Sequence, residues 1–135
     1  MQRNYPTKVL LAWGEAISGN TALRDWLVQG GYPELGLFCF ALRNVDSARD
    51  WLMKNGHPHL MALIRGAEGE KKAIQWLIQH GEQLLADMAL AADNDVPAMN
   101  RVLAKDRLWA VIAAKIGSVK NEIEDGNQDF HRINP

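Results

Sequence analysis

The chain has 135 residues, 47% of them apolar, a formal net charge of -1 and a single cysteine, which bounds it to one domain able to bury a substantial core. A nearly neutral chain with scattered Lys and Arg has no basic face for counterion-release binding, so nucleic acid is excluded as a partner. The lone Cys39 excludes an internal disulfide framework and fits a buried, inert thiol in a reducing compartment.

In chain order, Met1 to Lys8 leads into no secretory core, because Gly14 and Glu15 interrupt the apolar run soon after Val9. No stretch approaches the roughly 18 apolar residues of a membrane span, so a cytoplasmic protein without a membrane partner is expected. Tyr5-Pro6-Thr7 opens a helix carrying Val9, Leu10, Trp13 and Ile17 at helical spacing, and Ser18-Gly19-Asn20 ends it. Asn20 or Thr21 caps a shorter helix through Leu23, Trp26 and Leu27, stopped by Gly30-Gly31. Pro33 starts a long helix with Leu35, Phe38, Cys39 and Leu42 on one face, and Asn44 to Asp46 link it to the helix that holds Trp51. Pro58 starts the next, with Leu60, Leu63, Ile64 and Ala67; Gly69 breaks it, and Ala73, Trp76 and Leu77 follow before Gly81. Glu82 to Asp93 supplies Leu85, Met88, Ala89 and Ala92, and Asp95 caps a helix with Pro97 in its first turn. Arg107 to Gly117 forms a fifth long helix, Val119 to Asp125 is its short partner, and residues 127–135 read as a loosely ordered tail beyond a single domain of residues 1–126.

The order within this list is a repeat. Trp26-Leu27, Trp51-Leu52 and Trp76-Leu77 recur every 25 residues, as do Gly31, Gly56 and Gly81, although Arg101 and Asp106 stand where the next Trp and Gly are due. On the long helices Leu10, Leu35, Leu60 and Leu85 coincide, as do Trp13, Phe38, Leu63 and Met88. Ala16, Ala41, Gly66 and Ala91 also coincide, and small residues at one repeated position let neighbouring long helices approach closely. The repeat places Trp26, Trp51 and Trp76 at one core position, with Trp13 and Trp109 on apolar faces. Asp25, Gln29, Ser47, Asp50, Lys54, Lys72, Gln75 and Gln79 form a polar stripe on the short helices, expected to face water and to offer no apolar anchor. The expected architecture is all-α, an α-solenoid of about five stacked helix pairs.

The run Ala73 to Gly81, followed by Leu85 and Ala89 to Asn94, resembles the second helix, closing Gly and next first helix of ankyrin repeats. Ankyrin units have about 33 residues, and the shortfall is about the length of the β-hairpin that joins them. The resemblance covers roughly residues 6–105; it lacks the Thr-Pro-Leu-His entry of the ankyrin consensus and implies a stack of helix pairs without β-hairpins. The leucine-rich-repeat variant, with units of similar length, is the alternative. Neither resemblance brings catalytic residues.

The candidates for chemistry have plainer readings. His57 and His59 flank Pro58 at a helix start with no nearby ligand cluster, and His80 suits a helix C-terminus. Glu68 to Lys72 is an exposed loop, and Asp93 to Asp95 lacks the Gly and Glu of a Ca²⁺ loop. No metal, cofactor or catalytic group is expected. The chain reads as a non-catalytic protein–protein interaction module, a monomer in itself, that presents a curved surface to a protein partner. A regulatory subunit tied to one mate, such as a toxin neutraliser or secretion-associated factor, is the alternative, and a small hydrolase the remote one. The expected contact residues lie on the long-helix face opposite the packing face: Glu15, Phe40, Arg43, Met61, Arg65 and Leu90, with Phe40 and Arg65 as anchors. The competing reading is that these residues shield the inner seam of a strongly curved stack.

Overall fold

The computed structural model describes the backbone of residues 4–133 and the side chains of residues 4–126. Within them every regular element is a helix, nine in all: α1 Thr7–Ile17, α2 Thr21–Gln29, α3 Pro33–Leu42, α4 Asp46–Lys54, α5 Pro58–Ala67, α6 Lys71–Gln79, α7 Gln83–Ala92, α8 Val96–Lys105 and α9 Arg107–Ile133. None is long and apolar enough to cross a membrane among the described residues.

Local chemistry sets the boundaries. The Asn20 and Asp95 carboxamide and carboxylate oxygens accept from the Leu23 and Ala98 amides at 3.0 and 2.9 Å, capping α2 and α8. Pro33, Pro58 and Pro97 sit in first turns, where a missing N–H costs nothing. The short helices α2, α4 and α6 end through left-handed glycines, as at Gly56 with φ 84°, so that the His57 amide can donate back to the Leu52 carbonyl at 2.9 Å, whereas α8 ends at an extended Asp106. Long helices close the same way through a second repeated position, Gly19, Asn44, Gly69 and Asn94. Asn44 and Asn94 hold φ of 68° and 72°, a conformation Asn tolerates better than other side chains.

Consecutive helices pack in contact, and the long helices α1, α3, α5 and α7 also touch their long neighbours. The small residue at Gly66 is required: an added Cβ there would lie 2.7 Å from Ile74 Cδ1 and 2.8 Å from Ala89 Cβ, so α5 could not approach α6 and α7 as it does. Trp13, fully buried, meets Phe38 edge-on at 5.1 Å and Trp109 at 6.0 Å, joining α1, α3 and α9 in one core with Leu35, Leu60, Leu63, Leu85, Met88 and Ile112.

Two expectations are corrected. There are four helix pairs and one unpaired helix where five pairs were expected, because α9 runs unbroken for 27 residues through Gly117. A glycine alone does not end a helix, and this one serves proximity: an added Cβ would lie 2.7 Å from the Ala92 carbonyl oxygen. Ile112, Ile116, Val119 and Ile123 keep a four-three-four spacing across it, so the apolar stripe never breaks. The expected tail of residues 127–135 falls on residues whose side chains are not described; the helical backbone of α9 runs to Ile133, and residues 134–135 lie outside the described residues. Second, Trp26, Trp51 and Trp76 are not core. Trp26 is 42% exposed and the other two half-buried, while Leu27, Leu52 and Leu77 beside them are fully buried. One residue along a helix turns about 100°, which carries the ring from the core to its edge.

α9 decides the overall arrangement. It packs on α7 and α8, returns to α1, and touches α3 and α5 between them, so the row of long helices closes on itself.

Two outcomes follow. Leu52→Ala should cost about 2–5 kcal/mol in urea titrations, Trp51→Ala clearly less, and the exposed Lys54→Ala under about 0.5 kcal/mol; a larger loss for Trp51 than for Leu52 would return the ring to the core. Cys39 is 3% exposed and its Sγ lies 3.4 Å from the Leu35 carbonyl oxygen. Burial pushes its thiol up to about 12, so at mildly alkaline pH the folded chain should resist disulfide reagents and the urea-unfolded chain should react fully.

Candidate protein-interaction surface

The repeat builds the same concavity twice on the outer side of the molecule. The first groove, about 390 Å³, is lined by Leu37 and Phe40 of α3, Val45 and Ser47 at the start of α4, and Ala48 and Trp51 within it. The second, about 270 Å³, is lined by Ala62, Arg65, Glu70, Lys72, Ala73 and Trp76, with Met53, Pro58 and Met61 completing its wall. Each residue of the first has its counterpart 25 positions later in the second. The groove exists because the short helix presents only a methyl, Ala48 or Ala73, between its Trp and the long helix.

The walls are held in place. Trp51 stacks on His57 with ring centres 5.7 Å apart, and Trp76 on His80 at 3.8 Å, while His80 Nδ1 lies 2.8 Å from the Trp76 carbonyl oxygen. The Arg24 guanidinium covers the Phe40 ring at 4.1 Å, a cation–π contact that also engages Asp25 at 3.3 Å. Arg65, half exposed, pairs loosely with Glu70 at 3.8 Å. The fourth unit has different chemistry at the same place: Arg101 replaces the Trp and Asp87 replaces Leu37 or Ala62. Arg101 Nη2 reaches the buried Asp87 carboxylate at 3.0 Å, so an ion pair occupies the corresponding position. In the first unit Trp26 stands at the equivalent position with Lys8 6.0 Å from its ring centre.

Of the six expected contact residues, Glu15, Phe40, Arg65 and Leu90 hold one register on successive long helices, and their surroundings differ. Phe40 is half-buried in the first groove, and Arg65 occupies the same register on the rim of the second. Met61 was expected to be exposed, but it is 2% exposed and forms groove wall; its counterpart is Gly36, so the added side chain fills space under the groove. Leu90 packs half-buried against the core. Arg43 donates to the Ile17 carbonyl at 3.2 Å, satisfying the end of α1. Glu15 accepts from Lys115 of α9 at 3.4 Å, and Lys115 also reaches Ser18 at 3.3 Å.

Sequence reasoning missed the short-helix contribution. Asp25, Gln29, Ser47, Asp50, Lys54, Lys72, Gln75 and Gln79 are all exposed as expected. The outer helices nevertheless offer apolar groups as well, since Met53, Ile78 and Leu103 are 55%, 50% and 48% exposed. Their shared 25-residue register was the available signal. His57 lies 4.0 Å from Glu34, and among the described residues no three His, Cys, Asp or Glu side chains gather as a metal-ligand set. No family model, no curated protein and no solved structure matches this chain, so the grooves stand on their own geometry.

Proposed function

We propose that the protein is a non-catalytic protein-binding module: a short, ankyrin-like helical solenoid without hairpins, closed by α9, whose outer grooves hold a segment of a protein partner. The observation that carries this reading is the pair of grooves with matching register, each with an alanine floor and a half-buried Trp wall. Neighbouring helices pack about 8–10 Å apart, so the two grooves suit a segment with two apolar side chains at about that spacing. Residues seven apart on a helix, about 10.5 Å, meet that requirement. Trp and Arg are the side chains that most often dominate binding energy, and Trp51, Trp76 and Arg65 stand at the groove margins. The inner side of the long helices is a poorer docking face, because α9 touches α1, α3, α5 and α7 there.

The test is capture of a partner from the source cell, then affinity measurement with folded variants. Trp76→Ala and Arg65→Ala should each weaken binding by about 1–3 kcal/mol, and Asp50→Ala or Gln75→Ala by little. Unchanged binding by both groove variants, with loss on Glu15→Ala or Arg43→Ala, would move the site to the end of the molecule near α1 and overturn the reading.

A further inference from the structure

Resting on the groove reading, we propose that the C-terminal end of α9 from a second copy of this chain docks in the second groove, so that the protein self-associates through its own projecting helix rather than remaining the expected monomer.

The geometry starts with where the body stops. Lys115 reaches Ser18 at the end of α1, and Lys120 Nζ lies 2.6 Å from the Asp93 carboxylate, just past the end of α7. Ile123 and Glu124 still line a recess with Asn44 and Glu68, in the turns after α3 and α5. By Glu124, therefore, α9 has come level with the closing turns of the long helices. Its backbone continues helically to Ile133, nine residues further, which at 1.5 Å per residue is about 14 Å of helix past the body. An unbroken helix leading away from the body cannot reverse into a groove on the flank of its own chain. A second molecule's groove is open to it.

Composition supplies the complementarity. In the sequence, Phe130 and Ile133 continue the four-and-three spacing of Ile116, Val119 and Ile123, whose earlier members are spent on the core. A helix of this kind needs an apolar receptor for that end of its stripe. Glu122, Glu124, Asp125 and Asp129 outnumber Arg132, so the segment from Glu122 to Ile133 is net acidic. The second groove offers an apolar wall of Met53, Ala62, Ala73 and Trp76, and at its margin Arg65 and Lys72 outnumber Glu70, the partner of Arg65. The first groove has Ser47 at the position of Lys72, Phe40 at that of Arg65 and Val45 at that of Glu70, so it carries no charge where the second has a net positive margin, which selects the second as receptor. Charge complementarity of this sort chooses between partners and registers more than it adds affinity.

The experiment uses the full chain and analytical ultracentrifugation over a concentration series from micromolar upward. The wild type should associate, and both Phe130→Asp in the projecting segment and Met53→Arg in the exposed groove wall should weaken association by at least about tenfold. Circular dichroism melts should confirm that both variants are folded. Each variant keeps the half that the other has lost, so an equimolar mixture of the two should associate again. A wild type that stays monomeric throughout, association unchanged in either variant, or a mixture that fails to recover would each overturn the proposal. The first of these leaves the groove reading standing, because that is decided separately by partner capture with Trp76→Ala and Arg65→Ala.

Discussion

Helix pairs in a row bury their apolar faces only against one another, so the first and last members face water on one side unless something covers them. Here α9 lies against α1 and α7 together and presents Trp109, Ile112 and Ile116 to the space the long helices enclose. Trp13 is the point of closure, since its ring meets Phe38 from the neighbouring unit and Trp109 from the far end of the chain. The small residues belong to the same constraint. With Cβ atoms at Gly66 and Gly117, neither α5 against α7 nor α9 against α7 could pack at the observed separation.

Closure also gathers the C-terminal ends of the long helices at one end of the molecule. Their unpaired carbonyls carry partial negative charge there, and cations are placed to meet it. Arg43 donates to the Ile17 carbonyl, and Arg49 to the Ala41 carbonyl at 2.9 Å while also reaching Asn44 and Glu68. Lys115 and Lys120, both from α9, meet Glu15 and Asp93. Lys120 is 6% exposed, so its charge is held by the carboxylate at 2.6 Å and not by bulk water. The same contacts explain why Glu15 and Arg43, which looked like recognition residues, are engaged inside the chain.

The outer face obeys a different rule, because each short helix touches its own partner and leaves its far side wet. Where the groove residues are Trp and Ala, an apolar recess remains; where they are Arg101 and Asp87, the chain closes the position with its own ion pair.

The 25-residue period by itself determined the helices and their caps, because Asn20, Asp95, the prolines and Gly31, Gly56 and Gly81 act through local backbone chemistry. It also fixed which Leu lies in the core, since identical spacing places Leu35, Leu60 and Leu85 on one helical face. Three things were settled only by tertiary structure. The Trp positions were misread because periodicity gives an angle around the helix but not how near the neighbour comes. The fate of Gly117 depended on Ala92, which is remote in sequence and close in space. Which side of the long helices stays open depended on where α9 packs, and a repeat carries no information about how its last member meets its first.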